Sequence, residues 1–310
     1  MQLRKLELNV LSFLCYGLSC SDDKTMNSKR EVKLDGDLVS NKGESKPTVA
    51  HYDANYGNFQ TDLYKQIRRE AFGEDFGQSS WLTSDEQDKF ISWLNLSQGK
   101  ILLDIACGSG GPALRIAEKT GCSILGIDVH EQAISTANSL AAQRGFKERA
   151  EFRIVDASAN LQFADASCDA ITCIDAINHL PDRRQVITEW ARILRPGGRL
   201  LFTDPITITG PLSATEIAVR SSIGFFLFVP PGFDERIISD CGLQLVWRDD
   251  VTANMAKIAE RRHAARASRS SALREIEGEQ TFEGQQEFLA MAARLAEEKR
   301  LSRFVYVAEK

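Results

Sequence analysis

Residues 102–111 read Leu-Leu-Asp-Ile-Ala-Cys-Gly-Ser-Gly-Gly, and a second acid, Asp128, stands 24 residues after Asp104. An apolar run, a glycine-rich turn and a helical pattern from Pro112 are typical of the start of a βαβ unit. Glycines let the backbone approach a ligand, and the first N–H groups of the helix stay free to bind it. Asp128 ends the next apolar run, where an acid is placed to accept both hydroxyls of a ribose. The stretch therefore predicts a nucleoside site.

Seven apolar runs have the length of β-strands, and helical patterns separate the first five. The runs are residues 101–105, 124–128, 151–155, 169–174, 199–204, 243–247 and 303–308. This alternation predicts an α/β fold, a parallel sheet with helices on both faces. Right-handed crossovers then place the ligand crevice at the carboxyl ends of the strands, where four acids fall: Asp104, Asp128, Asp156 and Asp204.

The segments outside this alternation predict a cover and a cap around the crevice. Helical patterns lie around 60–72 and 84–95, Ser213 and Glu216 form the signature of a capping box, and a long helical stretch runs from 252 to 300. The resulting organisation is a disordered leader (1–50), an N-terminal helical cover (51–98), a core (99–250), cap insertions for the acceptor (within 205–302) and a final core strand (303–310).

Composition limits the class of partner. The net charge of −5 argues against a broad nucleic-acid surface, and Arg261, Arg262, Arg266 and Arg269 are interpreted as a solvated helix face. No stretch approaches the roughly 18 apolar residues of a membrane span. The seven cysteines include no C-x-x-C and the four histidines show no ligand spacing, so we expect no disulfide framework, no metal and a reducing, cytoplasmic location.

The N-terminus leaves two interpretations open. The first residues loosely resemble a secretion or lipoprotein signal, with Arg4 and Lys5, an apolar stretch from Leu8 to Tyr16, and Cys20. Alternatively, the segment is a disordered or mis-started leader, with Met26 as the true start.

Four motifs in this order resemble the class I S-adenosylmethionine-dependent methyltransferases. They are Leu102–Gly110, Asp128, Asp156-Ala157 and the sequence Leu-Arg-Pro-Gly-Gly-Arg-Leu at 194–200. The chain is most similar to the small-molecule branch, which contains quinone C-, amine N- and sugar O-methyltransferases. Ala106 departs from the family, which usually has its first glycine there, and we expect the turn to survive with a small shift.

The resemblance implies a Rossmann-like sheet of seven strands with the last strand antiparallel, inserted beside the sixth. It also implies S-adenosylmethionine as cofactor and S-adenosylhomocysteine as product. Asp128, beside Val129, would bind the ribose hydroxyls, and Asp104 would orient the glycine loop or reach the methionine ammonium group. The remaining donor residues would be Ala106, Gly108 and Gly110 under the methionine and ribose, Asp156 and Ala157 at the adenine, Ile174 at the methionine end, and Tyr52, Gln78 and Trp81 as cover.

His179 is the candidate catalytic base, because it follows the fourth strand and its imidazole titrates near neutral pH. In the sugar branch a histidine at this place pairs with an acid after the fifth strand, which implies a His179–Asp204 pair here. Alternatively, His179 only shapes the pocket, and Asp175 is a weaker candidate. The acceptor is a small molecule with an oxygen, nitrogen or carbon nucleophile. An apolar portion is expected if the run at 225–229, with Phe225, Phe226, Phe228 and Val229, lines its pocket rather than the core.

Two other functions compete with methyl transfer. The sequence from Gly108 to Ala113 satisfies G-x-G-x-x-A and Asp128 fits a dinucleotide site, as in an NAD(P)-dependent oxidoreductase. The acid at 104 and the Arg195-Pro-Gly-Gly198 turn count against it. A catalytically silent module that binds the donor without turnover is the other alternative. The sequence leaves the oligomeric state open.

Overall fold

The computed structural model describes residues 49–310, so the predicted leader lies almost entirely outside the described residues. Three helices come first: α1 (His51–Gly57), α2 (Asp62–Phe72) and α3 (Ser84–Trp93). The alternating part follows as β1 (Ile101–Ile105), α4 (Gly111–Thr120), β2 (Ser123–Asp128), α5 (Glu131–Gln143), β3 (Ala150–Ile154), β4 (Cys168–Cys173), α6 (Arg183–Ile193) and β5 (Leu194–Ile208). The chain ends with α7 (Ala214–Arg220), α8 (Phe233–Asp240), β6 (Gln244–Asp250), α9 (Thr252–Ala267), α10 (Ser270–Glu277), α11 (Glu279–Glu297) and β7 (Leu301–Glu309).

The seven strands form one sheet in the order β3-β2-β1-β4-β5-β7-β6. The first five pair in parallel, and β7 runs antiparallel to both of its neighbours, β5 and β6. The predicted fold, including the antiparallel last strand beside the sixth, is therefore confirmed. The chain reverses its strand order on either side of β1 and β4, which opens a crevice at their carboxyl ends.

Apolar side chains of the strands pack on both faces of the sheet, because successive residues point to opposite sides. Leu103 and Ile105 join a core with α6 and α8, whereas Leu102 joins the core formed with α3, α4 and α5. Burial on both faces explains why β1 is almost continuously apolar. It also makes the one acid within this strand, Asp104, conspicuous.

The cap is built from α7 and α9–α11. The predicted capping box forms: the hydroxyl of Ser213 accepts from the Glu216 N–H, and the Glu216 carboxylate accepts from the Ser213 N–H. Glu216 also forms ion pairs with Arg294 and Arg300, which fixes α7 against the end of α11. Within residues 49–310, no helix has the length and apolar character needed to cross a membrane.

The prediction that four arginines of α9 and its end form a solvated face is wrong for two of them. Arg266 is 3% exposed and forms an ion pair with Glu277. Arg262 lies over the ring of Trp81, 5.4 Å from its centroid, and donates to the carbonyl of Ser79. Since α9 packs on α2 and α11, part of its surface faces protein rather than water.

Candidate functional site

The turn between β1 and α4 has the backbone that its glycines predict. Gly108 and Gly110 have φ of +54° and +76°, in the left-handed region. A β-carbon at Gly110 would lie 2.8 Å from the ring of Phe152, and one at Gly108 would lie 2.7 Å from the Tyr56 hydroxyl. Ala106 also has a φ of +54°, which costs about 1–2 kcal/mol relative to glycine. The turn therefore forms with alanine at this position.

Asp128 is tied to this turn at the end of β2. One carboxylate oxygen accepts from the Gly108 N–H and the other from the His130 N–H, both at 2.9 Å. Each oxygen retains a second lone pair for a ligand donor. Burial raises the pKa of the Asp128 carboxyl, and the two N–H groups act against that rise. The side chain is thus an oriented acceptor with unused capacity.

Asp104 lines a small cavity beside the turn. The cavity wall combines Asp104, the glycine loop and Ile174 with three residues of the cover, Gly77, Ser79 and Ser80. The Asp104 carboxylate accepts from the Thr172 hydroxyl at 2.6 Å. Burial raises the pKa of Asp104 to about 7, and the Asp128 carboxylate adds to the rise. A cationic ligand in this cavity would favour the ionised form.

The predicted adenine residues flank the next strand end. Asp156 is exposed, and one of its carboxylate oxygens accepts from the backbone and hydroxyl of Ser158, which leaves the other oxygen without a partner in the described part of the chain. Ala157 is buried beside it. Val129 and Ile154, at the ends of β2 and β3, are 65% and 57% exposed. Apolar surface of this size next to Asp128 and Asp156 suits a planar base.

The cover contributes differently from the prediction. Gln78 does not line the cavity, because both polar atoms of its amide bind its own loop, at the Phe76 N–H and the Glu74 carbonyl. The ring of Trp81 stacks on Phe288 inside the cap, with centroids 6.3 Å apart. These two side chains hold the cover in shape. Its neighbours Gly77, Ser79 and Ser80 reach the cavity instead.

Asp175 holds the cover to the sheet. Its carboxylate accepts from the Trp81 N–H, the Thr203 hydroxyl and the Arg303 guanidinium. Arg303, which is fully buried, also binds Glu86 through two hydrogen bonds. The network joins the end of β4 to α3 and β7.

His179 lies in a 3₁₀ turn (Ile177–His179) after β4, with both ring nitrogens hydrogen bonded. Nδ1 lies 2.9 Å from the Phe225 carbonyl, and Nε2 lies 2.8 Å from the Tyr52 hydroxyl. A carbonyl only accepts, so Nδ1 carries the proton and Nε2 accepts from Tyr52. Burial lowers the pKa of His179 to about 4, and the charge of Arg220 lowers it further, against the Phe225 carbonyl. The imidazole is therefore neutral, with its basic nitrogen facing Tyr52.

The predicted His179–Asp204 pair is wrong. The Asp204 carboxylate is fully buried and binds the Arg183 guanidinium at 2.6 Å and the Ile206 N–H at 3.0 Å. Arg183 also binds Asp234 at 2.6 Å. An acid that shares a buried cation with a second acid stabilises the fold and is not available to His179. The partner of His179 is Tyr52, which the sequence suggested only as cover.

The residues of the aromatic run after α7 differ in their surroundings. The ring of Phe226 meets the His179 ring edge-on at 4.8 Å, and Phe225 is 55% exposed. Val229 is core, and Phe226 and Phe228 both pack against a cluster around Ile206 and Leu301.

Arg220, at the end of α7, was not predicted from the sequence as a site residue. It is 1% exposed, near His179 and Tyr52, and its guanidinium lies over the Phe288 ring at 4.5 Å. Arg220 lies three residues after Ile217 and three before Ile223, in line with an apolar helical pattern. This spacing was the signal in the sequence that Arg220 is buried.

Comparisons with known proteins find methyltransferases. A family model described as a methyltransferase domain matches residues 103–202. The chain is similar to 27-O-demethylrifamycin SV methyltransferase of Amycolatopsis mediterranei, with 31% identity over 248 residues that cover 76% of this chain and 89% of that relative. It is also similar to methyltransferase GfsG of Streptomyces halstedii, 40% identical over 41% of this chain and 45% of the relative, less than half of its length.

Among solved structures, the chain resembles phosphoethanolamine N-methyltransferase 2 of Haemonchus contortus, in complex with phosphomonomethylethanolamine and S-adenosylhomocysteine. The TM-score is 0.70 at 19% sequence identity, over 84% of this chain and 60% of that one. A likeness at this identity demonstrates a shared fold.

Proposed function

The chain belongs to the class I S-adenosylmethionine-dependent methyltransferases, and from that premise we propose that it methylates a hydroxyl oxygen of a small, partly apolar acceptor. S-adenosylmethionine is the cofactor, and the family match gives no support to the oxidoreductase alternative. The observation that carries the proposal is the neutral imidazole of His179 with its basic nitrogen bonded to the Tyr52 hydroxyl. The name of the rifamycin relative describes methyl transfer to an oxygen atom, which supports the same acceptor atom here.

The described residues fit the donor at three places. Asp128 offers two oriented oxygens for the ribose hydroxyls, and Asp104 offers a carboxylate for the ammonium group of the methionine part. The left-handed glycine turn keeps side chains away from the space between them. Val129, Asp156 and Ala157 would hold the adenine. When bound, S-adenosylmethionine supplies an electrophilic methyl group on a positively charged sulfur.

The protein then has two tasks, to align the acceptor and to take its proton. The acceptor hydroxyl donates to the Tyr52 oxygen while Tyr52 donates to Nε2 of His179, so the proton of the acceptor is passed on through Tyr52. Burial raises the pKa of Tyr52 well above its usual value, so this residue relays the proton and does not remain ionised. The Phe225 carbonyl stabilises the imidazolium that forms.

The test is release of S-adenosylhomocysteine with a panel of small hydroxylated acceptors, matched to analogues in which the hydroxyl is replaced by hydrogen. We expect product only from the hydroxylated members, with a mass gain of one methylene. Turnover of nitrogen or carbon acceptors alone would contradict the oxygen assignment. Donor binding by calorimetry without turnover of any acceptor would favour the silent module.

Asp128→Ala is expected to weaken S-adenosylhomocysteine binding by about 10- to 100-fold, the loss of roughly 1.5–3 kcal/mol of charge-assisted hydrogen bonding. Isothermal titration measures it, with Asp249→Ala, an exposed acid on β6, as control. A donor analogue without the two ribose hydroxyls should lose a similar factor on the native chain and little more on the variant. Additive losses would contradict the contact.

Donor affinity is expected to rise with pH through about 7. Asp104 has a pKa of about 7 without ligand, and a bound ammonium group lowers that pKa, so below pH 7 binding must release a proton. The dissociation constant should therefore rise by up to about tenfold per pH unit as the pH falls from 7 to 5.5. Calorimetry in two buffers of different ionisation enthalpy measures the released proton. Asp104→Asn should abolish both effects; an unchanged slope in that variant would exclude Asp104 as the titrating group.

We also propose a reducing, cytoplasmic location and no nucleic-acid partner. The five cysteines of the described residues are free thiols, four of them buried, and the net charge is −5.

A further inference from the structure

Arg220 is a buried cation without a counterion in the described part of the chain. It is 1% exposed, and its Nε and one terminal nitrogen are buried without a hydrogen-bond partner. No carboxylate among residues 49–310 forms an ion pair with it, whereas the equally buried Arg183 and Arg303 each bind two acids. Leaving a guanidinium in this state is costly, because both its charge and its donors are removed from water.

The surroundings of Arg220 are rings rather than acids. Its guanidinium lies 4.5 Å from the centroid of Phe288 and 5.6 Å from that of Phe226. Cation–π contacts recover only part of the lost hydration, since they satisfy none of the N–H donors. Burial accordingly lowers the pKa of Arg220 to about 10.

A second cation lies nearby. Arg262 also has no acid partner among the described residues, its hydrogen bond goes to the Ser79 carbonyl, and Ser79 lines the cavity that holds Asp104. Burial and the charge of Arg266 lower the pKa of Arg262 to about 10. Both Arg220 and Arg262 act electrostatically on the Tyr52 hydroxyl. Two unneutralised guanidiniums therefore converge on the residue that takes the acceptor proton.

We propose, on the basis of the methyl-transfer function above, that Arg220, assisted by Arg262, binds an anionic group of the acceptor, a carboxylate or a phosphate. Phe226, which is only partly buried and lies beside His179, contacts the apolar body of the acceptor, and the acceptor hydroxyl then reaches Tyr52. The acceptor is thus an acid with an apolar framework. The bound anion neutralises Arg220 and so removes one cause of the lowered basicity of His179.

The experiment measures binding of three probes to the protein saturated with S-adenosylhomocysteine: benzoate, phenyl phosphate and the neutral isostere benzamide. Titrations are run at constant ionic strength, and donor binding is measured in the same samples. We expect benzoate or phenyl phosphate to bind and benzamide to bind at least about tenfold more weakly. The better anion identifies the acidic group. Equal binding of the anions and benzamide would overturn the proposal while leaving the donor site, and the methyl-transfer function, intact.

Arg220→Met is expected to weaken anion binding by about tenfold or more, with unchanged donor affinity and an unchanged or higher melting temperature, because an unpaired buried charge is removed. Arg261→Met, an exposed arginine on α9, is the control. Arg220→Lys, which keeps the charge, provides a second variant and should lose part of the binding. A lower melting temperature of Arg220→Met with undiminished anion binding would show that Arg220 is only structural and would overturn the proposal.

Discussion

His179→Ala is expected to lower kcat about 10²-fold or more, the usual contribution of a positioned general base, and to leave donor affinity nearly unchanged. The reason is that Nε2 of His179 receives the Tyr52 proton, while the contacts assigned to the donor belong to Asp104, Asp128 and the glycine turn. Single-turnover measurement of S-adenosylhomocysteine formation, with donor binding by calorimetry, separates the two quantities.

His263→Ala is the matched control, since His263 lies on α9 and its imidazole forms no hydrogen bond among the described residues, where only its backbone carbonyl accepts from another element, from the Gln286 amide. Tyr52→Phe removes a single hydroxyl and is expected to lower kcat by about tenfold or more. Added imidazole should partly restore His179→Ala but not Tyr52→Phe. Near-native kcat in His179→Ala would show that this residue only shapes the pocket.

The pH profile gives an independent test of the base. Because the pKa of His179 is lowered to about 4, the neutral, active form persists well below pH 6.5. The rate of the native chain should therefore fall only as the pH approaches 4, after correction for donor binding. A fall centred near 6.5 would mean that the imidazole is solvated and not held by Tyr52 and Phe225.

The parts of the site that were predictable lie within short segments. The glycine turn and Asp128 follow from one βαβ unit, in which the strand, the turn and the acid fix each other through backbone geometry. The strand boundaries were predicted within one or two residues for the first four strands. Burial on both faces of the sheet forces this apolar pattern, so local sequence is sufficient.

Prediction failed where the partner of a charged group is distant in sequence. The resemblance to the sugar O-methyltransferases implied Asp204 as the partner of His179, but Arg183 of α6 binds Asp204, and Asp234 of α8 shares the same guanidinium. Nothing in the local sequence of Arg183 distinguishes it from a solvated arginine. Similarly, the Tyr52 hydroxyl is hydrogen bonded to His179, which lies 127 residues later in the sequence. The two residues are brought together because α1 lies over the sheet.

Arg183→Met is expected to destabilise the fold by about 3–5 kcal/mol, because Asp204 and Asp234 would remain buried without their cation. Both acids and Arg183 are at most 2% exposed. Burial and the Asp204 charge already raise the pKa of Asp234 to about 7, although Arg183 opposes that rise. Urea unfolding measures the loss. Arg184→Met, which removes an exposed ion pair with Asp240, is the control and should change stability by less than about 1 kcal/mol.

The pH dependence of this loss has a defined sign. Without Arg183 the folded-state pKa of Asp234, already raised by burial, stays above the unfolded value of about 4, so the folded state binds more protons between pH 4 and that raised pKa. Stability of the variant therefore falls as pH rises, and the deficit should be larger at pH 8 than at pH 5.5. Asp204→Asn should lower the free energy of unfolding by less, since Arg183 remains paired with Asp234. The kcat of this variant should remain near native. A 10²-fold loss of kcat in a stable Asp204→Asn protein would instead show that Asp204 takes part in catalysis.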